Sequence, residues 1–283
     1  MRERMAQPRL RTPWQARPRG PMALSSGDVP QPLSNSRLCL VETSVGSMWL
    51  PTEDDLMRPH LEKTQKWKGS TTDLVGKLLR GGGRFLDVGA SVGWFSLVAA
   101  QTHSRVSVTA VEANPRLTPA LHFNLWMNGV VADLWPVALG DRKAAATMES
   151  CSADLGSGVV SRPREGQTYD TVIPMLTADD LFAGRTFDVV KVNASGGESS
   201  VILGMHRIIR NSPTIRIVVT FWPKAIRDAG ADPMDELDRY RSMGLEITAN
   251  TSSGLQRLTD REVVEHCDTG GEQGRLDLLL RVP

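Results

Sequence analysis

Three features around position 90 could hold a small charged ligand: an acid, a turn bracketed by glycines, and a second acid. Asp87 lies near the end of a short apolar segment and precedes a turn between Gly89 and Gly93, where a backbone can approach a ligand closely. A second β-branched segment, residues 106–111, leads directly into Glu112. In a doubly wound α/β sheet, an acid at this place lies beside the ribose of a nucleotide-like ligand that crosses the first turn.

The chemistry of the turn narrows the choice of ligand. A dinucleotide fingerprint, G-x-G-x-x-G, has a central glycine that allows close approach to a pyrophosphate, and one glycine of that pattern is missing here. The carboxylate of Asp87 would repel a phosphate and suits a cation. S-adenosylmethionine has an ammonium, a sulfonium and a ribose diol, and it has no phosphate. We therefore expect this cofactor, with Asp87 at its amino acid end and Glu112 at its ribose; a nicotinamide dinucleotide and a β-turn-α unit without ligand are the alternatives.

The composition of the whole chain excludes several classes of function. The net charge of +1 over 283 residues gives no general attraction for nucleic acids or membranes. The three cysteines are far apart and form no C-x-x-C pair, which argues against a zinc site and for a reducing, cytoplasmic compartment. No segment reaches the ~20 apolar residues that a membrane span needs. Richness in Arg, Ala and Gly suggests a bacterial source. We expect a small-molecule partner and no metal, and the oligomeric state is left open.

The chain begins with a segment of different character. Residues 1–37 contain seven arginines against two acids, with repeated prolines and little apolar periodicity. No apolar stretch follows the arginines, as a secretory signal would require. We expect residues 1–37 to form a disordered tail and residues 38–283 to form one domain.

Strand and helix patterns alternate through the rest of the chain, which predicts an α/β fold with a mostly parallel sheet. Residues 38–50 indicate an N-terminal strand or hairpin, and residues 53–61 and 71–79 indicate two helices that extend the domain. The segment 144–173, rich in Ser, Gly and Thr, predicts an irregular hairpin insertion. The remaining predicted helices are 115–127, 176–182, 199–209 and 232–243, and the remaining predicted strands lie within 130–139, 187–192, 215–221, 244–248 and 275–282.

The order of motifs along residues 53–222 resembles that of the FkbM-type S-adenosylmethionine-dependent methyltransferases. The motifs that carry this resemblance are Asp87-Val-Gly-Ala-Ser-Val-Gly93, Glu112-Ala-Asn-Pro115, Asn124-Leu-Trp-Met-Asn-Gly129, Ala138-Leu-Gly-Asp141, Leu176-Thr-Ala-Asp-Asp180 and Lys191-Val-Asn-Ala-Ser-Gly-Gly-Glu198. Each motif alone is modest, and the specificity comes from their order and spacing.

The resemblance implies a fold, an activity and a set of cofactor residues. It implies a Rossmann-like, seven-stranded, mostly parallel sheet with helices on both faces. It also implies methyl transfer to an oxygen of a small molecule, such as a sugar or a secondary metabolite. The residues that it assigns to the cofactor are Asp87, Gly89, Ala90, Gly93, Glu112, Ala113, Asn114 and, near the adenine, Ala138.

The chain departs from the family pattern on the acceptor side. Where the family has K-x-D-x-E, this chain has Lys191, Asn193 and Ser195, and Thr220 stands where a glutamate is expected. Neutral Asn and Ser side chains cannot act as a general base, although they can orient an acceptor by hydrogen bonds. We take Asn193, Ser195 and Lys191 as the candidate catalytic residues, with a structural ion pair as the alternative for Lys191.

Three explanations are open for the missing acids. The acceptor needs little deprotonation; or another segment supplies the base, such as His103, His122 or His206; or the chain is a non-catalytic relative that keeps only cofactor binding. Glu198 is the nearest acidic candidate, but we expect it on the following helix, pointing away. Trp94 and Trp222 are the tryptophans best placed by the pattern to face an acceptor.

Overall fold

The computed structural model of the chain describes residues 37–149, 159–161, 171–270 and 274–283. Almost all of the predicted N-terminal tail, residues 1–36, and most of the predicted insertion lie outside these residues. In the described ranges, no helix is both long enough and apolar enough to cross a lipid bilayer.

Within the described residues the strands and helices alternate along the chain. The strands are β1 Leu38–Thr43, β2 Gly46–Pro51, β3 Gly83–Val88, β4 Val106–Val111, β5 Ala132–Trp135, β6 Ala138–Leu139, β7 Ala144–Glu149, β8 Val159–Ser161, β9 Val172–Leu176, β10 Val189–Val192, β11 Arg216–Phe221, β12 Glu246–Thr251, β13 Gly254–Gln256 and β14 Leu276–Arg281. The helices are α1 Met57–Thr64, α2 Gly69–Leu78, α3 Trp94–Thr102, α4 Thr118–Met127, α5 Ala178–Leu181, α6 Glu198–Leu203, α7 His206–Asn211, α8 Pro223–Asp228, α9 Pro233–Ser242 and α10 Asp260–Thr269.

The central sheet has the order β13-β12-β14-β11-β10-β3-β4-β5. Strands β11, β10, β3, β4 and β5 pair in parallel, and β14 runs antiparallel between β11 and β12. The predicted α/β, Rossmann-like architecture with a mostly parallel sheet is therefore confirmed. The sheet has eight strands rather than seven, because residues 252–253 turn the chain back and the three-residue β13 pairs with β12.

Hydrophobic layers cover both faces of the sheet. Leu86 and Val190 belong to one buried cluster, whereas their chain neighbours Phe85 and Val189 belong to the other. This division follows from the strand geometry, since successive side chains point to opposite faces. Strands that are buried on both faces consist largely of apolar residues. Polar residues that can reach a ligand are therefore expected just after the carboxyl ends of β3, β4 and β10.

The N-terminal extension is attached through a buried asparagine. Strands β1 and β2 form their own antiparallel hairpin. The fully buried Asn124 of α4 accepts a hydrogen bond from Trp49 N at 2.7 Å and donates to Trp49 O at 3.0 Å and Val92 O at 2.9 Å. Asn124 therefore joins the hairpin, α4 and the glycine turn, which gives the first asparagine of the Asn124–Gly129 motif a structural role.

Two predicted helices differ from the observed ones for identifiable reasons. Helix α1 begins at Met57, four residues later than predicted, because the Asp54 carboxylate accepts from Leu56 N and Met57 N and forms a turn there. The single helix predicted over residues 199–209 is two helices, α6 and α7. The break includes Gly204, where a Cβ would overlap the carbonyl oxygen of Gly140.

A second sheet lies beside the central one, with the order β6-β9-β7-β8. Strands β7 and β8 fall within the segment predicted as an irregular insertion, and here they pair antiparallel in regular register. Met148 of β7 and Val160 of β8 project from this sheet toward the same cleft as the end of β4, which is described next.

Candidate functional site

The glycine turn requires glycine at its first position. Gly89 has φ +72°, and a Cβ at this residue would overlap the carbonyl oxygen of Asn193. Both Gly89 N and Ala90 N donate to Val111 O, at 2.9 and 3.1 Å. The turn after β3 is thus fixed between the ends of β4 and β10. Gly93, at φ +100°, precedes the first residue of α3 and lies against Leu121.

Glu112 is held rigidly at the end of β4. Its Oε2 accepts from Ser91 N and its Oε1 accepts from Asn114 N, both at 2.7 Å. Burial raises the pKa of the Glu112 carboxyl, and these main-chain hydrogen bonds act in the opposite direction. The two N–H groups fix the orientation of a carboxylate that is 6 % exposed and lines a cleft.

That cleft, here called the first cleft, has a volume of about 720 Å³ and opens to solvent. Seven of the residues predicted from the sequence line it: Gly89, Glu112, Ala113, Asn114, Ala138, Asn193 and Ser195. Its other walls are largely apolar and include Met148 and Met175, which the sequence analysis did not assign to the site. Glu112 is the one charged side chain among the described residues that line the first cleft.

Asp87 lies beneath the turn rather than in the cleft. Its side chain is 1 % exposed, accepts from Ser96 Oγ at 2.7 Å, and lines none of the clefts described here. Burial raises the pKa of Asp87 to about 6, against the lowering effect of the Ser96 hydrogen bond and of Lys191. The buried carboxyl group therefore ties β3 to α3.

A bridging cleft of about 560 Å³ adjoins the first one at the glycine turn. Gly89 and Asn193 line both clefts, whereas Ala90 lines only the bridging cleft. Trp67 and Lys68, just before α2, also line the bridging cleft. Trp94 also lines it, and its Nε1 donates to Thr72 Oγ1 at 2.9 Å.

An outer cleft of about 1330 Å³ follows at the ends of β11, β12 and β14. It shares Trp67, Lys68 and Arg275 with the bridging cleft. The three clefts thus lie side by side along the edge of the sheet, from Glu112 to Asp277, and each shares lining residues with the next.

A buried polar network underlies the outer cleft. The Nζ of Lys191, whose side chain is fully buried, donates to Thr220 Oγ1 at 2.8 Å and to Val192 O at 3.1 Å. Thr220 Oγ1 donates to Asp277 Oδ1 at 2.6 Å, and this oxygen lies 3.8 Å from Lys191 Nζ. The Thr71 hydroxyl donates to the other oxygen of Asp277. The predicted ion pair of Lys191 is therefore present, and its partner is Asp277.

Both members of this pair have displaced pKa values. Burial lowers the pKa of Lys191 to about 8. Burial alone would raise the pKa of Asp277, but Lys68, Lys191 and the two hydroxyl donors lower it to about 2. Asp277 is thus ionised at neutral pH. It places a carboxylate opposite Thr220, its partner in the register of β11 and β14.

Glu198, one of the candidate bases, accepts hydrogen bonds from the turn that precedes it. Its Oε1 accepts from Ala194 N at 2.7 Å and its Oε2 accepts from Gly196 N at 2.8 Å. Between these two residues Ser195 adopts a left-handed conformation with φ 50°. Glu198 therefore shapes the loop that presents Asn193 and Ser195, and both of its oxygens are already engaged.

The other candidate bases lie elsewhere. His103, His122 and His206 line none of the three clefts, whereas His60 of α1 lines the outer one. Trp222 stacks on Arg275, with the guanidinium carbon 3.6 Å from the ring centroid. In the part of the chain that the structure describes, no group of three or more His, Cys, Asp or Glu side chains could hold a metal ion.

Comparison with known proteins gives structural neighbours only. No protein-family model and no curated protein matches the chain. Among solved structures, the O-methyltransferase TomG from Streptomyces achromogenes in complex with SAM is 14% identical, with 82% of this chain and 88% of that one covered and a TM-score of 0.44. TYW2 from M. jannaschii in complex with AdoMet is 12% identical over 88% and 86% of the chains, with a TM-score of 0.43. Precorrin-6y C5,15-methyltransferase from Geobacter metallireducens is 12% identical over 77% and 90%, with a TM-score of 0.42. At these values the comparisons do not assign the chain to a family.

Proposed function

We propose that the chain is an S-adenosylmethionine-dependent methyltransferase that methylates an oxygen of a small molecule, such as a sugar or a secondary metabolite, in a bacterial cytoplasm. The observation that carries the proposal is the carboxylate of Glu112, fixed by two main-chain N–H groups in a cleft that Gly89 of the glycine turn also lines. The motif order of the FkbM-type enzymes supports the same assignment.

The residues of the first and bridging clefts suit this cofactor. Glu112 would accept from the ribose hydroxyls, Ala138 would lie near the adenine, and the amino acid end would extend along the turn at Ala90. The first cleft has no cationic side chain among its described lining residues, so it offers no counter-charge to a pyrophosphate. In the first cleft this charge pattern favours a phosphate-free ligand; the cations nearest the turn, Lys68 and Arg275, line the bridging cleft.

The protein's side chains would act mainly by positioning the acceptor and the cofactor. When bound, the cofactor supplies an electrophilic methyl group on a sulfonium. Gly89 and Asn193 form the wall shared by the first two clefts, so an acceptor that enters from the outer cleft would meet the methyl group there. Asn193 and Ser195 would orient the acceptor by hydrogen bonds. Holding the two reactants in line can lower a barrier by up to roughly 7–11 kcal/mol.

Asp87 and Lys191 would influence this site without contacting a ligand. Both are buried beside the turn and the strand ends, and neither lines a cleft. The ionised form of Asp87 would favour the cationic end of the cofactor through its field. Lys191 would keep Thr220 and Asp277 in place.

The decisive test is the binding of the cofactor and of its demethylated product by calorimetry. We expect 1:1 binding of both compounds, and at least tenfold weaker binding in Glu112→Gln, because the amide cannot accept as strongly from the ribose diol. Asp133→Asn, an exposed acid on the neighbouring β5, is the control and should bind normally. Absence of heat with either compound, or binding of a reduced nicotinamide dinucleotide instead, would contradict the proposal.

A second candidate function is a cofactor-binding protein without turnover. The neutral Asn193 and Ser195 at the end of β10 favour it. It predicts the same calorimetric binding but no transfer of label from methyl-labelled cofactor across a broad panel of acceptors.

A further inference from the structure

Two glutamates are buried where helix α6 packs against helix α9. Glu198 is the first residue of α6, and Glu236 lies in the first turn of α9. Both side chains are almost completely withdrawn from solvent. A buried carboxylate is unfavourable unless it is paired or hydrogen-bonded, so the partners of each group decide which charge state it adopts.

The two carboxyl groups have different partners. Glu198 accepts from two main-chain donors, Ala194 N at 2.7 Å and Gly196 N at 2.8 Å. Such N–H groups favour the ionised form of a carboxyl. Glu236 accepts from the hydroxyl of Tyr240, a side chain that is itself fully buried. The phenol is a weaker source of stabilisation than two N–H groups or a cation, so Glu236 is the member of the pair that can remain neutral.

The nearest cation does not neutralise Glu236. Arg239, three residues along α9, donates to Ser199 Oγ at 3.0 Å. Burial raises the pKa of Glu236 to about 7, and the charge of Glu198 acts in the same direction, against the lowering effects of the Tyr240 hydrogen bond and of Arg239. A second negative charge therefore appears in the interface between α6 and α9 near neutral pH.

The other groups around α9 do not titrate in this range. Burial raises the pKa of the Tyr240 phenol well above its ordinary value and that of the Cys267 thiol of α10 to about 12, so both stay neutral. Helices α8 and α10 and strand β12 also pack against α9. Charged side chains of these elements form ion pairs at the surface, among them Arg227 with Asp268, Arg241 with Asp260, and Arg281 with Glu246.

Glu198 connects this interface to the first cleft. Its hydrogen bonds hold the loop from Asn193 to Gly197, in which Ser195 and Gly196 are left-handed, with φ 50° and 98°. A left-handed serine is unfavourable on its own, so the loop depends on the groups that hold it. Residues 193–195 and 197 line the first cleft. A displacement of Glu198 would therefore change the wall of this cleft.

We propose that Glu236 is a positioning residue whose charge state controls the order of loop 193–197: neutral Glu236 leaves Glu198 in place, and ionised Glu236 repels it and loosens the loop. The folded chain keeps this proton to about pH 7, against an ordinary pKa of 4.5. The stabilisation is thus complete below pH 4.5 and is lost as the pH rises through 7. Weaker ligand binding in the first cleft at high pH is the consequence, and this part rests on the proposed function.

The test measures hydrogen exchange at the Ala194 and Gly196 amides of the full-length protein without ligand, since exchange reports local opening. Rates are corrected for the intrinsic effect of pH. We expect protection to fall at least fivefold between pH 6 and 8.5 in the parent and to stay within twofold in Glu236→Gln. Asp238→Asn removes an exposed acid from the same helix, so it is the matched control and should follow the parent.

A second variant predicts the direction of a shift. Tyr240→Phe removes the hydrogen bond that favours ionised Glu236, so the loss of protection should move to higher pH. Equal pH dependence in the parent and Glu236→Gln, or a shift to lower pH in Tyr240→Phe, would overturn the inference. If Glu236→Gln does not fold, the direction of the Tyr240→Phe shift decides.

Calorimetry with S-adenosylhomocysteine tests the link to the cleft. From pH 6.5 to 8.5 the parent should lose at least fivefold in affinity relative to Glu236→Gln, and the comparison cancels the titration of other groups. An unchanged ratio contradicts the link. Absence of binding at either pH contradicts the proposed function, and the exchange measurement then still decides whether Glu236 controls the loop.

Discussion

At the scale of single residues, Gly89 has little freedom to change. Gly89→Ala would combine left-handed strain with overlap of the Asn193 carbonyl, so the ends of β3 and β10 would have to separate. We expect a loss of several kcal/mol in the free energy of unfolding, of which the strain alone accounts for about 1–2 kcal/mol. Cofactor binding should fall more than tenfold. Urea unfolding and calorimetry measure the two effects.

The chain offers a matched control for this change. Gly129 has φ +71°, close to that of Gly89, but nothing lies within 4 Å of a Cβ built there. Gly129→Ala should therefore show the strain alone and leave cofactor binding intact. Equal destabilisation by the two substitutions would mean that the Asn193 carbonyl does not constrain the turn.

The buried carboxyl of Asp87 should make stability depend on pH. Its pKa is about 6 in the folded chain against 3.8 as the ordinary value. The folded state therefore binds more protons between these values, so the contribution of Asp87 is full below pH 4 and is lost as the pH rises through 6. The difference amounts to about 3 kcal/mol. Comparing urea unfolding of the parent and Asp87→Asn from pH 4 to 7 measures it; parallel curves would contradict the burial argument.

At the scale of elements, Asn124 joins three parts of the fold. Asn124→Ala would leave Trp49 N, Trp49 O and Val92 O without their partner in a buried place. Since each orphaned group is unfavourable by about 1–3 kcal/mol, we expect at least about 3 kcal/mol of destabilisation. Hydrogen exchange at the Trp49 amide should accelerate. Asn211→Ala, at the exposed end of α7, should change stability by less than about 0.5 kcal/mol and serves as the control.

The local spacing of apolar residues and glycines made several elements predictable. The turn from Gly89 and the acid at Glu112 follow directly from apolar runs and glycines, and both meet in the first cleft. Helix α10 was not predicted, although Thr259 and Glu262 form a capping box that the sequence displays. The division between α6 and α7 depends on the contact of Gly204 with Gly140, which no local pattern contains.

At the scale of the whole molecule, the main element of the site that escaped sequence analysis is Asp277. It reaches Thr220 only because β14 inserts antiparallel beside β11, a pairing across 57 residues. One signal was present: Asp277 is the sole polar residue among the apolar residues 276–280. The inward position of Asp87 also needed the packing of α3, since the residue pattern gives no direction for its side chain.

The wall that Trp67 and Lys68 contribute to both the bridging and the outer cleft has a thermodynamic consequence. If a molecule bound in one cleft restricts the movement of this wall, it also changes the affinity of the other cleft, and this change is reciprocal. For the cofactor and acceptor proposed above, each would then change the dissociation constant of the other by the same factor.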